Sequence, residues 1–187
     1  DNELYYKKLN LNVGKDVDNT AQTTVESLFG ELSVTFPANS LNRNENITVR
    51  TADSKDYPFK EFNDMAITGP IVEVLPHMTF ENELNLPRIQ MKISKQEIDA
   101  MDVAPQKLKL YKVDFDNKQL VPLVNALYGY LNENGGAIKE KDGNVAMCTS
   151  PLDSNCHPAN DDWAYMLISA ETKTFSVFVA LDSLRAE

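Results

Sequence analysis

The sequence predicts an all-β fold, an antiparallel β-sandwich with one short helix near residues 94–102. About ten short segments of apolar or alternating character are separated by turn residues, which is typical of this class. No alternation of strands with helices indicates a parallel sheet. The chain has 187 residues, of which 42% are hydrophobic, so it can bury a core. We therefore expect residues 1–187 to form a single domain.

The first part of the chain carries three strand patterns and a short fourth one. Leu4 to Val13 alternates loosely, and Val25 to Phe29 is apolar at its ends. Leu32 to Phe36 alternates strictly between apolar residues and Ser or Thr, which predicts a half-buried strand. After a turn, Ile47 to Arg50 is a short β-branched strand. The polar region from Thr51 to Asp64 is predicted to be a loop with packed aromatic rings.

The stretch from Gly69 to Ile93 is the part around which the chain is organised. It predicts a strand at Ile71 to Leu75, a corner at Pro76 and His77, a short extended piece ending at Leu86-Pro87, and a strand at Arg88 to Ile93. Prolines are expected where strands begin or end, because proline cannot donate a hydrogen bond to the ladder. This segment therefore predicts two core strands joined by a proline-broken corner.

The predicted helix is followed by a hairpin. Ser94 precedes Glu97 by three residues, the spacing of a capping box, which marks a helix start. Lys107 to Val113 and Leu120 to Leu123 are apolar or alternating, with a turn-rich segment between them. We expect these two segments to pair as antiparallel neighbours.

The last third of the chain predicts a second hairpin and two closing strands. Asn125 to Leu131 and Ala137 to Lys139 flank the turn signal Asn132 to Gly136. Trp163 to Ile168 and Thr172 to Leu181 form the last two strands, with the connection expected at residues 169–171. The final strand is apolar on both faces, so we place it at the centre of a sheet.

The charge argues against several partners. The formal net charge is -10, and the eighteen basic residues are scattered, whereas a phosphate backbone favours clustered Lys and Arg. No apolar run approaches the ~18 residues that span a bilayer. We therefore expect neither nucleic acid binding nor direct membrane insertion. Since the sequence starts at Asp1 without a signal-peptide core, we also expect a mature or excised part of a larger protein.

The two cysteines, Cys148 and Cys156, lie close together in a polar loop. We expect them to form a disulfide, which favours an oxidising compartment and hence an extracellular or cell-surface location. The alternative is two unrelated free thiols. Without a second Cys or His pair nearby, a structural zinc site is not expected.

The two histidines limit the catalysis that this chain could support. No Gly-x-Ser-x-Gly nucleophile elbow occurs. His77 is interpreted as a corner residue whose imidazole hydrogen-bonds nearby backbone. His157, Asp161 and Asp162 are the candidates for a metal site, but their spacing matches no ligand pattern, which favours a solvated loop. Residues 114–117 resemble part of a calcium loop but lack its Gly and terminal Glu, so a hairpin turn is expected.

Aromatic residues could form a binding surface. Tyr5, Tyr6, Tyr57 and Tyr128 are the candidates for a surface that binds sugar or protein, although ordinary packing explains most of them. A carboxylate pair for glycoside hydrolysis cannot be chosen among twenty-eight acidic residues without knowing distances. We expect no cofactor and no resident metal.

Four stretches, taken in order, resemble one family. They are Gly30 to Arg50, the segment beginning Gly-Pro-Ile-Val-Glu-Val-Leu-Pro-His-Met-Thr-Phe at Gly69, the hairpin with strands at 108–111 and 118–123, and Thr174 to Phe178. Together they are similar to the β-sandwich domain shared by zonula occludens proteins, netrin receptors and ankyrins, called here the ZU-five domain. The resemblance covers about residues 30–181, with residues 131–162 as a longer insertion.

The resemblance implies a non-enzymatic scaffold that binds proteins or links neighbouring domains, and the family also occurs in extracellular bacterial proteins. Some members cut their own chain between Phe and Ser of a His-Phe-Ser sequence. The corresponding bond here joins Phe175 to Ser176, with Ser176 as the nucleophile. Because Thr174 replaces the histidine that would assist proton transfer, we expect an intact chain and no catalytic residue.

The function expected from these observations is a non-enzymatic adhesion or protein-binding module of a larger cell-surface protein. Its partner would be a protein or a neighbouring domain of the same chain. Two alternatives remain open: an autoproteolytic domain that cleaves at Phe175-Ser176, and a carbohydrate-binding module that uses the aromatic residues.

Overall fold

The computed structural model describes residues 13–17, 20–27, 32–41, 44–52, 57, 70–80 and 83–182. These residues form two antiparallel sheets that pack face to face, which confirms the predicted β-sandwich. Most of the strand predicted from Leu4 onward and most of the loop predicted at residues 51–64 lie outside the described residues, as do Tyr5 and Tyr6. Among the described residues, no helix is long and apolar enough to cross a membrane.

The elements are numbered in chain order. They are β1 (Val13–Val17), β2 (Thr23–Glu26), β3 (Leu32–Phe36), β4 (Glu45–Ala52), β5 (Ile71–Leu75), β6 (Arg88–Ser94), α1 (Lys95–Ala100), a 3-10 turn (Pro105–Lys107), β7 (Leu108–Asp114), β8 (Gln119–Pro122), β9 (Val124–Leu131), β10 (Glu140–Lys141), β11 (Asn144–Val145), β12 (Tyr165–Glu171) and β13 (Val177–Asp182). Sheet A has the strand order β1-β4-β5-β13-β7-β8, and sheet B has the order β2-β3-β6-β12-β9. The short ribbon β10-β11 is separate.

The main core lies between the inner faces of the two sheets. Strand β6 alternates buried and half-buried positions along its whole length, as a strand with one buried face must. Phe36 and Met166 from sheet B are fully buried in the same cluster as Ile47 and Phe178 from sheet A. Each such side chain contributes about 1.5–3 kcal/mol by leaving water. This cluster fixes the sandwich.

A second, smaller core lies on the outer face of sheet A. Its buried members come from three neighbouring strands and are Ile71, Tyr111, Val113, Val177, Val179 and Leu181. Tyr57 and Phe115 stack on each other beside it, with ring centroids 5.7 Å apart. Strand β13 is therefore buried on both faces and lies between β5 and β7, which confirms its predicted central position.

The helix forms where the capping box predicted it. The Ser94 hydroxyl accepts from the backbone N–H of Glu97, and the Glu97 carboxylate accepts from the backbone N–H of Ser94. Ile98 is the buried contact that holds α1 on the sandwich. The predicted hairpin of β7 and β8 is also confirmed, with Tyr111 opposite Pro122 at its open end.

The structure corrects two predictions. The connection between the last two strands lies at residues 172–176 rather than 169–171, because Ser169 and Ala170 are buried and pair with Gln90 and Ile89 of β6. The two strands also belong to different sheets. At residues 137–139 the structure describes an isolated bridge from Ala137 to Leu131 in place of a strand.

Candidate functional site

A buried carboxylate lies on the outer face of sheet A. Glu73 occupies the centre of β5, directly opposite Arg50 of β4 and Val177 of β13. Glu73 is 6% exposed. Its chain neighbours Val72 and Val74 belong to the main core, and Ile71, on the same face as Glu73, belongs to the second core. A buried carboxylate requires partners, because transfer of an unpaired charge from water costs several kcal/mol.

Three side chains contact the carboxylate oxygens of Glu73. The Arg50 guanidinium donates to Oε2 through Nε at 2.6 Å and also contacts it through Nη2. The Tyr57 hydroxyl donates to the same oxygen at 3.0 Å. The His77 Nε2 lies 3.1 Å from Oε1. We call Glu73, Arg50, Tyr57 and His77 the Glu73 cluster; it joins two strands, the corner and Tyr57.

The electrostatics of the Glu73 cluster disfavour a second negative charge. Burial raises the pKa of Tyr57 to about 12, and the adjacent Glu73 charge adds to this effect. Burial lowers the pKa of Arg50, but the hydrogen bond and the charge of Glu73 raise it by more, so the net change is upward. The cluster therefore holds a fixed ion pair with a protonated phenol beside it.

The sequence prediction for His77 named backbone as its partner, whereas the structure gives it the Glu73 carboxylate. Sequence reasoning did not single out Glu73 or Arg50. The signal that could have found Glu73 is one charged residue inside the apolar strand Ile-Val-Glu-Val-Leu. Its partner could not be found in the same way, because the register of β4 on β5 is a tertiary property.

The disulfide loop lies along the outer edge of sheet B. Cys148 and Cys156 are joined as predicted. Cys148 pairs with Tyr128 of the edge strand β9, through N–H···O contacts of 2.7 Å and 2.9 Å. The Tyr130 hydroxyl donates to the carbonyl oxygen of Pro151 at 2.6 Å. These contacts hold the loop against an edge that would otherwise offer unpaired backbone groups.

A second carboxylate cluster follows the disulfide loop. Asp161 accepts a hydrogen bond of 2.6 Å from the Trp163 indole N–H, and its Oδ1 lies 3.2 Å from the His157 Nε2. Lys95 of α1 donates to the Asp161 backbone carbonyl at 2.9 Å and lies 4.8 Å above the Trp163 ring. We call Asp161, Trp163, His157 and Lys95 the Asp161 cluster.

The Asp161 cluster stabilises the ionised carboxylate. The hydrogen bond from Trp163, with smaller contributions from Lys95 and His157, lowers the pKa of Asp161. The Tyr130 ring packs edge-on against His157 at 5.0 Å and is tilted against Trp163 at 5.2 Å. The cluster thus fastens the segment after the disulfide loop to the sandwich and to α1.

The metal candidates are only partly brought together. His157 and Asp161 are in contact with each other, while Asp162 is exposed and its backbone N–H donates to Asn160. In the part of the chain that the structure describes, no group of three or more His, Cys, Asp or Glu side chains could hold a metal ion. Asp161 is instead occupied by the Trp163 indole.

The turn at residues 114–117 joins β7 to β8, as expected for a hairpin. Asp114 accepts from the Asn117 backbone N–H at 3.1 Å and from the Asn117 side chain at 2.9 Å. These hydrogen bonds lower the pKa of the Asp114 carboxyl. The carboxylate therefore closes its own turn.

The Phe175-Ser176 bond lies just before β13. Phe175 is 2% exposed, and its ring packs edge-on against Phe36 and Phe80. The Ser176 hydroxyl donates to the carbonyl oxygen of Val113 at 3.3 Å. Thr174 forms a bridge with Thr79. The hydroxyl is thus directed to the neighbouring strand β7.

The aromatic residues proposed for a binding surface have other roles where the structure describes them. Tyr128 is 4% exposed and belongs to the main core, so its prediction as a surface residue was wrong. An alternating strand does not reveal from sequence which face is inward when both carry large side chains. Tyr57 belongs to the Glu73 cluster.

Comparison with protein-family models gave no match to this chain, and comparison with curated proteins gave none either.

Proposed function

We propose that this chain is a non-enzymatic protein-binding module that works outside the cell as part of a larger surface protein. The observation that carries the proposal is the disulfide-closed loop at residues 148–156, held on the edge of β9. Disulfides persist in oxidising compartments, and a loop with joined ends loses less conformational entropy when it binds a partner.

The internal contacts of the loop support a rigid presentation. Asp153 accepts from the backbone N–H of Asn155 at 2.9 Å, and its backbone oxygen accepts from Cys156 and His157. Leu152 lies at the exposed part of this loop with 59% of its surface in solvent. An exposed apolar side chain on a loop held in this way is suited to contact an apolar patch on a protein partner.

Charge and resemblance support a protein partner. The chain carries a formal net charge of -10, and no Lys or Arg occurs between Cys148 and Asp162. A partner surface with basic residues around an apolar pocket would complement this region. The ZU-five resemblance, with its non-enzymatic scaffolds, agrees with such a role.

The test uses the oxidised chain, immobilised and exposed in parallel to a displayed peptide library and to a glycan array. We expect saturable peptide binding that Leu152→Ser weakens more than tenfold, about 1.4 kcal/mol or more. Leu84→Ser is the matched control, because Leu84 is also a strongly exposed leucine but lies outside the loop. Glycan binding without peptide binding, or equal weakening by both variants, would contradict the proposal.

We also propose that the chain stays intact at Phe175-Ser176. The ring packing of Phe175 and the hydrogen bond from Ser176 to Val113 support this, since both hold the segment in the sandwich. The intact mass should equal that of the uncleaved chain less the two hydrogens lost when the disulfide forms. Two fragments on a denaturing gel, lost in Ser176→Ala, would establish the autoproteolytic alternative instead.

A further inference from the structure

A tight turn closes the segment that follows β9. The Asn132 carbonyl oxygen accepts from the Gly135 N–H at 2.9 Å. The Asn132 side-chain oxygen accepts from the N–H groups of Asn134 at 3.0 Å and Gly136 at 2.9 Å. Asn132 is therefore the hub of the turn, and its own amide is engaged in hydrogen bonds.

Asn134, in contrast, has a free side chain at the tip of this turn. The residue is exposed, and within the described part of the chain its side-chain amide makes no hydrogen bond. Gly135 follows it with a φ of +77°, and no heavy atom lies within 4 Å of the position that a Cβ would take there. Apart from its two chain neighbours, no residue therefore crowds this side of Gly135.

We propose that Asn134 is a site of spontaneous conversion to aspartate and isoaspartate. The Gly135 nitrogen attacks the Asn134 Cγ, so that a N–Cγ bond forms, the Cγ–Nδ2 bond breaks, and ammonia leaves with the proton from Gly135. Water then opens the cyclic imide at either carbonyl. Opening at the new bond gives aspartate, and opening at the original peptide bond gives isoaspartate. The net reaction consumes water and releases ammonia, so it needs no oxidant or cofactor.

The sequence and the side-chain hydrogen bonds together distinguish Asn134 from the other asparagines. Asn134 is the one asparagine in the sequence that is followed by glycine, so the attacking nitrogen has no neighbouring side chain. The side chains of Asn132, Asn117 and Asn155 are instead engaged with their own turns. Asp142-Gly143 is the matched comparison, an exposed turn with glycine at φ +76°. Its side chain is a carboxylate, whose carbon is attacked by a backbone nitrogen less readily than the carbon of an amide.

The modification would weaken the turn that leads to the bridge on the edge strand β9. The imide nitrogen carries no hydrogen, so the bond from Gly135 to the Asn132 carbonyl must break before the imide forms. Isoaspartate then lengthens the backbone by a methylene within the turn. The same turn holds the Asn132 N–H on the Gly136 carbonyl at 2.8 Å and precedes the bridge from Ala137 to Leu131 of β9.

The test incubates the oxidised wild-type chain for days in mildly alkaline buffer at physiological temperature. Fragmentation mass spectrometry of the peptide around Asn134 should show two chromatographically separate products with a carboxylate at that position. We expect these products to form at a rate at least fivefold higher than the rate of change at any other described asparagine or at Asp142. Hydrogen exchange at Gly135 and Gly136 should be faster in the isolated isoaspartate product.

A synthetic peptide with the sequence of residues 130–138 is the control, because it has the same chemistry without the folded turn. Asn134→Gln should remove the modification from the protein without changing the fold. An unmodified Asn134 in the folded chain while the peptide reacts would overturn the proposal, as would earlier loss of another asparagine amide.

Discussion

The Glu73 and Asp161 clusters have the same parts in different surroundings. In each, a carboxylate contacts a histidine four residues away, a cation from another element, and an aromatic group that donates a hydrogen bond. The side chain of Glu73 is 7% exposed, whereas that of Asp161 is 63% exposed. The same set of contacts is therefore expected to have different energetic weight, because water screens one set and not the other.

Burial also determines what the contacts of each cluster contribute to stability. Glu73 must be paired, since a charge without a partner on the outer face of sheet A would remain desolvated. Asp161 would remain hydrated without its partners, so its contacts position the segment after the disulfide and contribute little net energy. Matching substitutions at the two sites test this difference.

The largest effect is expected for Glu73→Gln. This change removes the charge that pairs with Arg50 while it keeps the side-chain shape, and we expect a loss of about 3 kcal/mol in the free energy of unfolding. Urea denaturation measures it. The double variant with Arg50→Met should lose less than the sum of the two single variants, because it leaves no unpaired charge. Additive losses would show that the pair is not coupled.

The disulfide is expected to contribute nearly as much. Replacing both Cys148 and Cys156 by Ser should lower the free energy of unfolding by about 2.5 kcal/mol, since a closed loop of this length restricts the unfolded chain. The matched control is the wild-type chain under reducing conditions, which should lose the same amount. A loss below about 1 kcal/mol would mean that the contacts with β9 alone hold the loop.

The contribution of Tyr57 to the free energy of unfolding should decrease at alkaline pH. The pKa of Tyr57 is raised to about 12 in the folded chain, by burial and by Glu73. An unfolded tyrosine ionises near pH ~10, so this contribution is fully present below pH ~10 and is lost as pH rises toward the folded pKa. Tyr57→Phe should therefore cost about 1 kcal/mol at neutral pH. The difference from wild type should shrink above pH ~10. A constant difference would contradict the assignment.

The smallest effect is expected for Asp161→Asn, below about 1 kcal/mol at neutral pH because the carboxylate is exposed. The contribution of Asp161 to the free energy of unfolding should decrease at acidic pH. The lowered pKa of Asp161 means that its contribution is present above the unfolded pKa of ~3.9 and is lost as pH falls through the folded pKa. The difference between wild type and the variant should vanish at low pH. A loss as large as that of Glu73→Gln would overturn the comparison of the two clusters.

Local signals in the sequence predicted much of the fold. The strict alternation of Leu32 to Phe36, the capping box at Ser94 and the two-faced apolar character of β13 all correspond to features of the structure. The prediction ends β12 too early because the polar side chain of Ser169 indicates a connection. Its burial depends on pairing with β6, which local sequence does not encode.

The two clusters could not be predicted because they depend on register and on long-range contacts. Arg50 meets Glu73 only when β4 and β5 are aligned as they are here, and Lys95 reaches Asp161 across sixty-six positions. The disulfide was predictable because its two cysteines are close in sequence. The partner of His77 was not predicted, because a histidine in a turn has many backbone groups nearby and the sequence does not show which group it contacts.

The order of strands also determines how much of the chain must be present before it can fold. The last two strands, β12 and β13, each lie inside a sheet, between β6 and β9 and between β5 and β7. Without them, sheet A would divide into β1-β4-β5 and β7-β8, and sheet B would lose β9. Such long-range pairings also make folding slow, since distant segments must meet first. A chain that ends before Tyr165 should therefore stay unfolded, and only a chain that includes β13 can complete both sheets.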